Sequence, residues 1–173
     1  MAMSEEGASS FFETEVPQAS RELAELRTAS NYQPPFEVVR RRVIDDYYEG
    51  KMNIDATVVI RVGNVEDTEA ARGVGVVHAL DLALRKALLK YFPFLAAVRV
   101  TETYTHGSGE STEAEVMSIK KFSDGHSTWA TLAKSANTVE AGWKSLLDGY
   151  EWRIHSERLR LSHAAHNPRL SRR

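Results

Sequence analysis

The segment Gly73-Val74-Gly75 is the residue pattern in this sequence best suited to binding a small ligand. It directly precedes a predicted helix that begins near Val76. Two glycines in this place let the backbone turn sharply and bring free amide groups close to a ligand. A carboxylate bound there would also be stabilised by the helix dipole. From spacing alone, a plain tight turn into a helix is the more common interpretation.

No other residue pattern predicts catalysis or metal binding. The sequence has no cysteine, which excludes disulfides, thiolate catalysis and cysteine-ligated zinc. His163 and His166 are three residues apart but lie in a predicted tail, and the six histidines show no spacing suited to a metal on one helix face. Gly-x-Ser-x-Gly and Walker motifs are missing. Asp45-Asp46 and the pair Glu113 and Glu115 are interpreted as charges on strand surfaces. We therefore expect no metal, no cofactor and no enzymatic activity in this chain itself.

Composition is typical of a globular protein with one domain. Of the 173 residues, 42% are apolar and 27% are charged, and the formal net charge is −2. This balance gives no reason to expect a nucleic acid as partner. No apolar run approaches the roughly eighteen residues that a membrane span needs, and the start lacks the pattern of a secretory signal. We expect a cytoplasmic protein without a membrane partner.

Both ends of the chain are predicted to be arms around one folded domain. Residues 1–35 are rich in glutamate and could form a short helix from Ser20 to Thr28, after which Pro34-Pro35 interrupts any helix. Residues 155–173 form a basic tail with five arginines and one glutamate. Both ends are short of large apolar residues, so we expect mobile or loosely docked arms around a domain at 36–154.

The first half of that domain predicts two strands and a helix. Residues 36–48 are rich in valine, isoleucine, tyrosine and arginine, and residues 54–62 alternate apolar with polar side chains, the period of a half-buried strand. A helix with one apolar face follows from 76 to 91, and Pro93 ends it. The other face of this helix carries His78, Asp81 and Arg85.

The second half predicts three strands and a helix. The strands are expected over 96–105, 112–122 and 128–133, with a tight Asp124-Gly125 hairpin turn between the last two. Asn137-Thr138-Val139-Glu140 is a capping-box-like start for a second helix with one apolar face.

These elements predict an α+β fold in which a strand-and-helix unit occurs twice, first as ββα and then as βββα. Strands joined by hairpins imply an antiparallel sheet, and two helices with one apolar face each imply that both cover the same face of it. The opposite face of the sheet is left uncovered. Polar side chains or a second subunit must cover it, so we expect a homodimer.

Six segments, taken in order, carry a resemblance to a known family. They are 36–44, 55–63, 73–88, 98–102, 124–125 together with 129–131, and 137–148. In series they resemble the C-terminal regulatory domain of the 2-isopropylmalate synthase family, closest to its citramalate synthase branch. The segment from Gly73 to Leu88 is similar to the most distinctive part of that domain, a Gly-x-Gly-Pro-Val-x-Ala-Leu turn and helix.

The resemblance implies a dimerising domain built from two similar units. In enzymes of this family the domain binds the end-product amino acid, leucine or isoleucine, and thereby inhibits a distant catalytic barrel. That barrel condenses acetyl-CoA with a 2-oxo acid using a divalent metal, and none of it is present in this sequence. The expected partners are therefore a second copy, an amino-acid effector and a catalytic synthase subunit.

The resemblance also implies an effector pocket. Carried over position by position, its residues are Gly73, Gly75, His78, Ala79, Thr103 or Tyr104, Lys134 and Ala136. This sequence departs from the family at three places: Val76 replaces a proline, Thr103 replaces a tyrosine unless Tyr104 substitutes for it, and Ala133-Lys134 replaces a glycine followed by an apolar residue. A lysine in a pocket for a branched aliphatic side chain must turn its ammonium to solvent or shift its pKa. Either the effector differs or binding has been lost.

Three functions are compatible with these observations. The leading hypothesis is a regulatory module that binds an amino acid and dimerises, as part of a longer enzyme or acting on a catalytic partner in trans. The second is a stand-alone dimeric interaction or structural protein that has lost effector binding, which Lys134 and Thr103 favour. The third is a small α+β enzyme with an unrecognised site.

Overall fold

Two strand-and-helix units follow one another along the chain, after a short N-terminal helix. The structure is a computed structural model, and it describes residues 16–108 and 115–166. Its elements are α1 (Gln18–Thr28), β1 (Glu37–Tyr48), β2 (Lys51–Val62), β3 (Val65–Gly73), α2 (Val76–Leu89), a 3-10 helix (Pro93–Ala97), β4 (Arg99–Ser108), β5 (Glu115–Ser123), β6 (Thr128–Ser135) and α3 (Thr138–His166). Strands β1-β2-β3 and β4-β5-β6 form two antiparallel sheets. The predicted α+β class and the repeated unit are confirmed, but the strands form two sheets, each covered by its own helix, instead of one sheet with both helices on one face.

Strand β2 forms the centre of the first sheet because its apolar residues alternate with polar ones. Ile54, Ala56, Val58 and Ile60 are at most 4% exposed, and the residues between them are half-buried. The period of two puts these four side chains on one face of the sheet. Helix α2 packs against β2 and β3. The helix contributes six buried residues, Ala79, Leu80, Ala83, Leu84, Ala87 and Leu88.

The first unit contains a third strand that the sequence analysis missed. Strand β3 pairs with β2 from Val65, opposite Val62, to Gly73, opposite Ile54. The residues between Val65 and Gly73 are mostly acidic or small, and they lack the alternating large apolar side chains that signal a strand. Pairing with β2 therefore makes this segment a strand. The first unit is βββα, like the second, and not ββα.

Several predicted boundaries also differ from the structure by a few residues. Helix α2 ends at Leu89 instead of Tyr91, and the strand start predicted at Ala96 falls in the 3-10 helix. Pro93 begins that helix, where its fixed φ is favourable. Four predicted features lie outside the described residues: residues 1–15 and 167–173 of the arms, the strand start at Thr112, and Glu113.

Local hydrogen bonds confirm the predicted turn and the predicted helix cap of the second unit. The Asp124 carboxylate accepts two backbone hydrogen bonds inside the turn, and Gly125 has a φ of 87°, a conformation that favours glycine. Asn137 Oδ1 accepts a hydrogen bond from the Glu140 amide at 3.0 Å, as an N-cap residue does. Helix α3 then runs as far as His166, so it extends into the segment predicted as the basic tail.

Helix α1 lies within the segment predicted as the N-terminal arm, and several contacts hold it on the second unit. Ala19 is only 2% exposed. The Ser20 hydroxyl accepts a hydrogen bond from the Leu132 amide at 2.8 Å, so α1 occupies the edge of β6. At the other end of α1, Arg27 pairs with Glu151 of α3 at 2.6 Å. The boundary between arm and domain stays a prediction.

One hydrophobic core joins the two units. It contains Val58 of the first sheet, Phe122 of the second sheet and Ile154 of α3. The ring of Trp129 stacks on Phe122, with centroids 5.5 Å apart. Among the helices in the described ranges, none is long and apolar enough to cross a membrane.

Gly149 of α3 lies directly on the ring of Phe122, and this contact yields a prediction. A Cβ at Gly149 would come closer than 3 Å to three ring carbons. Alanine inside a helix normally stabilises it by about 1 kcal/mol relative to glycine, but overpacking reverses the sign here. We expect Gly149→Ala to lower the free energy of unfolding by about 1–3 kcal/mol in urea titrations.

Gly142→Ala in the same helix is the control for this prediction. A Cβ at Gly142 would lie 3.2 Å from a methyl group of Val77, a contact that a small shift relieves. We expect a change in the free energy of unfolding of less than about 1 kcal/mol. Equal losses in the two variants would contradict the proposed clash with Phe122.

Candidate functional site

A close approach between β3 and α2 holds the glycine-rich turn in place. A Cβ on Gly73 would lie 2.5 Å from the amide nitrogen of Ala79, so only glycine fits without a shift of the helix. Ala79 itself is fully buried. Gly75 is the N-cap residue of α2, and a Cβ there would meet no atom within 4 Å. The turn is therefore tightly packed at its first glycine and open at its second.

The first amides of α2 have no acceptor within the helix. The Ala79 amide donates the first internal hydrogen bond to the Gly75 carbonyl, at 2.9 Å. Among the residues that the structure describes, no side chain caps this helix. The amides of residues 76–78 are thus left for an external acceptor. Helix α3 differs, because the side chain of Asn137 accepts a hydrogen bond at the corresponding place.

His78 and Val74 border the open start of α2. The Val74 amide donates a hydrogen bond to Nδ1 of His78 at 3.2 Å, so this ring nitrogen acts as an acceptor. The Val74 side chain is 93% exposed. A small anion at this helix start would meet free amides and the positive end of the helix dipole, with access from solvent.

Thr103 and Tyr104, the two alternatives for one predicted pocket position, point to opposite faces of the second sheet because they are adjacent in β4. The Thr103 hydroxyl accepts a hydrogen bond from Lys120 Nζ at 3.3 Å. The Tyr104 hydroxyl donates to Glu102, and Lys121 Nζ lies 5.4 Å from its ring centroid. Thr103 shares its face with the inward-pointing residues of β5, whereas Tyr104 lies on the outer face of the sheet, away from α3.

Lys134 lies on the same outer face as Tyr104. In the register of the sheet, Lys134 is opposite Met117 and Tyr104 is opposite Ile119, and residues two apart on β5 share a face. The Lys134 side chain is 54% exposed, and its Nζ lies 3.4 Å from a Glu115 carboxylate oxygen. The ammonium is therefore turned to solvent.

The structure divides the predicted pocket residues into two groups. Gly73, Gly75, His78 and Ala79 lie together at the start of α2. Thr103 lies on the inward face of the second sheet and accepts a hydrogen bond from Lys120 of β5. Tyr104 and Lys134 are on the outer face of the second sheet, and Ala136 is exposed between β6 and α3. The assignment of these residues to one effector pocket stays a prediction.

Three residues that were not predicted as a site form a buried polar cluster, in which Lys120 and Tyr150 are buried and Asp81 is half-buried. The fully buried Tyr150 donates a hydrogen bond to Asp81 Oδ1 at 2.6 Å. Burial lowers the pKa of the Lys120 ammonium, and the Asp81 charge partly counteracts this effect. Burial also raises the pKa of the Asp81 carboxyl, while the Tyr150 hydrogen bond lowers it.

The sequence contained a partial signal for this cluster. Lys120 shares the period-two face of β5 with Ser118 and Phe122, which are both fully buried. Asp81, predicted on the polar face of α2 near Arg85, instead faces Tyr150 of α3. Only the packing of α2 beside α3 brings these groups together, so sequence spacing could not reveal their contact. In the described ranges, no group of three or more histidine and acidic side chains is placed to hold a metal ion.

Comparison with known families identifies the fold. The family model of the LeuA allosteric (dimerisation) domain matches residues 18–153. The chain belongs to this family. The resemblance carried by the six segments is therefore confirmed, and the match begins with α1, which lies N-terminal to those segments.

Three relatives show the scale of this LeuA domain within longer proteins. It is 34% identical over 148 residues to the (R)-citramalate synthase of Geobacter sulfurreducens, a match covering 83% of this chain and 28% of the relative. It is 31% identical to the (R)-citramalate synthase of Synechocystis over 82% of this chain and 27% of the relative. It is 35% identical to the (R)-citramalate synthase of Sulfolobus acidocaldarius, in a match that covers 65% of this chain and 21% of the relative. This chain thus spans about a quarter of the length of these relatives.

The buried hydrogen bond between Tyr150 and Asp81 predicts a pH-dependent stability. Because burial raises the pKa of Asp81, ionising it in the folded LeuA domain costs stability as pH rises through that pKa, and Tyr150 offsets part of the cost. We expect Tyr150→Phe to lower the free energy of unfolding by about 1.5–3 kcal/mol at pH 7. The loss shrinks at acidic pH, where Asp81 is protonated.

Urea titrations of the variant and of the unchanged protein at pH 7 and about pH 4 would measure this difference. Tyr91→Phe is the matched control. Its hydroxyl donates to Asp67 at 2.8 Å, but Lys90 still pairs with Asp67 after the change, so we expect a smaller loss. If Tyr150→Phe lowers the free energy of unfolding equally at both pH values, the Tyr150 hydroxyl does not stabilise the ionised form of Asp81.

Proposed function

We propose that this LeuA domain is a regulatory module that binds an amino acid and dimerises, and that it does not catalyse a reaction itself. The observation that carries the proposal is the uncapped start of α2 beside an open turn. The equivalent start of α3 is closed by Asn137. The second unit thus satisfies one of its first helix amides with a side chain, whereas the first unit has no such cap among the described residues.

The α-carboxylate of an amino acid fits the chemistry of this helix start. It would accept hydrogen bonds from the amides of residues 76–78, and its charge would be stabilised by the helix dipole, an effect of about 0.3–1 kcal/mol at an exposed site. His78 stands beside this place and could accept a hydrogen bond from the α-amino group only after releasing the Val74 amide. We propose leucine or isoleucine as the effector, as the family resemblance implies.

The LeuA domain is proposed to act on a synthase-type catalytic partner in the cytoplasm. The relatives carry this domain as about a quarter of a longer (R)-citramalate synthase. We propose that binding of a branched-chain amino acid here inhibits such an acetyl-CoA-dependent condensation, within a longer chain or in a separate subunit. This role would place the domain in the feedback control of branched-chain amino-acid biosynthesis.

A second function is favoured by the positions of Tyr104 and Lys134. Both lie on the outer face of the second sheet, separated by the sheet from Thr103 and the buried polar cluster. A protein that has kept the fold and the dimer but lost the effector would show such a separation. The second candidate is therefore a dimeric interaction or structural protein without a ligand.

Ligand titration distinguishes these two functions. We expect leucine or isoleucine to raise the melting temperature of the LeuA domain, because a ligand at a hundred times its Kd adds about 2.7 kcal/mol of stability. Val74→Asp should weaken this binding roughly tenfold, since its carboxylate would repel that of the effector, an effect of ~1.4 kcal/mol. Calorimetry on both forms would give the affinities.

Val65→Asp is the control for the titration. Val65 is also exposed, at 54%, but it lies at the opposite end of β3 from the glycine-rich turn. It should leave the affinity unchanged. If neither leucine, isoleucine, glutamate nor a dicarboxylic 2-hydroxy acid binds the unchanged protein, the effector proposal fails and the interaction protein becomes the better account.

Dimer formation is tested separately. We expect light scattering at micromolar concentration to give about twice the 19.4 kDa mass of the chain. A stable interface of this kind usually buries about 1,200 Å² or more in total. A monomer mass at all concentrations up to the millimolar range would contradict the dimer proposal without affecting the effector proposal.

A further inference from the structure

Strand β1 presents an unpaired edge of the first sheet. It is twelve residues long and pairs only with β2 among the described strands. Such an edge offers a row of free backbone groups to another strand. The edge of β6 is occupied by α1, and on β3 the Ala70 carbonyl accepts a hydrogen bond from Lys86. Strand β4 also pairs with only one described strand, but it has ten residues, so the twelve-residue β1 is the longest edge left open.

The far end of β1 projects beyond the rest of its sheet. Strand β3 ends opposite Ile54, so residues 46–48 of β1 and residues 51–53 of β2 form a ribbon of two strands only. A two-stranded ribbon is at best marginally stable in water by itself. Exposed apolar side chains cluster on it and just before it: Ile44 (47%), Tyr47 (72%), Tyr48 (65%) and Met52 (62%). This composition is typical of a ribbon that another chain covers.

On the outward face of β1, positive charges lie on one side of Ile44 and a negative charge lies on the other side. Because side chains alternate along a strand, one face carries Arg40, Arg42, Ile44, Asp46 and Tyr48. Two cations precede Ile44, and a carboxylate and a phenol follow it. Within residues 16–108 and 115–166, neither Arg42 nor Asp46 has a hydrogen bond or ion pair to another side chain. Asp46 only adds to the effect of the Asp55 hydrogen bond in raising the pKa of Arg72. Their charges are therefore available to a partner.

An antiparallel second copy would satisfy these charges. If Ile44 faces Ile44 of the second copy, Arg42 faces Asp46 and Arg40 faces Tyr48, each twice across the two-fold axis. Opposite charges directly across an antiparallel pair stabilise it, and like charges destabilise it. A two-fold axis perpendicular to the sheet gives this arrangement, because it reverses the strand direction and keeps each side chain on its own face.

The neighbouring register is less favourable. Centring the pair on Val43 would place Arg41 opposite Asp45 and Arg40 opposite Asp46 of the second copy, but it would leave Arg42 opposite Ile44. Arg41 already pairs with Glu140 of α3, and its guanidinium lies 5.4 Å from the ring centroid of Trp143. Its charge is thus committed within the chain. The Ile44 register instead pairs Arg42 with Asp46, neither of which forms an ion pair among the described residues, and it buries the exposed side chain of Ile44.

We infer that a second copy of this chain pairs with β1 antiparallel about Ile44, joining the two first sheets into one continuous six-stranded sheet. This inference rests on the dimer part of the proposed function and specifies its interface. The second sheets and both effector-binding helix starts remain outside the paired strands.

Charge reversal at two positions tests the inference. Arg42→Asp places a second carboxylate opposite Asp46, and Asp46→Arg places two arginines opposite each other, so each variant alone should weaken the homodimer about tenfold or more. Mixing the two variants should restore a dimer, because every carboxylate then faces a guanidinium. Sedimentation velocity on each variant and on the equimolar mixture gives the dissociation constants, with circular dichroism to verify folding.

Lys51→Asp is the matched control, since it makes the same charge change on β2 of the same hairpin and should leave the dimer intact. Unchanged dimers in both single variants overturn the interface while leaving dimerisation standing. Weakened dimers that the mixture does not restore overturn the register. A monomeric unchanged protein refutes the dimer proposal itself.

A cysteine variant gives an independent readout, because the chain has no cysteine of its own. Ile44→Cys should form an intermolecular disulfide under mild oxidation, since opposed residues in antiparallel strands lie about 4.5–5.5 Å apart between Cα atoms. Tyr48→Cys should not, because the two copies of residue 48 would be roughly 26 Å apart along the strands. The reverse result overturns the register.

Discussion

Close packing at three glycines positions the rest of this domain. Gly73 lets β3 run against the backbone of Ala79, Gly142 lets α3 approach Val77, and Gly149 accepts the ring of Phe122. A methyl group at Gly73 or Gly149 would push a helix away from its sheet. Because these contacts set where α2 begins relative to β3 and α3, they also set where its free amides lie. The candidate ligand site is thus a consequence of how closely the layers approach.

The two βββα units have the same architecture but differ in what they leave unsatisfied. In the second unit, Asn137 caps α3 and α1 occupies the edge of β6. In the first unit, α2 has no side-chain cap among the described residues, and the outer edge of β1 pairs with no other described strand. Free backbone amides at a helix start can bind an anionic ligand, and free backbone groups on a strand edge can pair with another strand. The first unit therefore carries both features that would make the domain respond to an effector and to a second copy.

The buried polar cluster connects the two units by directed contacts. Apolar packing between α2 and α3 tolerates small slides of one helix along the other, whereas the hydrogen bond between Tyr150 and Asp81 requires one alignment. Lys120 donates a separate hydrogen bond to Thr103 on β4. Directed polar contacts therefore fix α2 against α3 and β5 against β4.

The sequence by itself determined the class of fold, the repeated unit, the turn at Asp124-Gly125 and the cap at Asn137, because these depend on periodicity and on contacts between near neighbours. Six segments in series were enough to place the chain in its family. The sequence did not predict strand β3, because this segment becomes a strand by pairing with β2 and not through the propensity of its side chains. Only the tertiary structure decided that Tyr104 and Lys134 lie across the sheet from Thr103 and that Asp81 meets Tyr150. Those relations depend on strand register and helix packing, which join residues far apart in the chain.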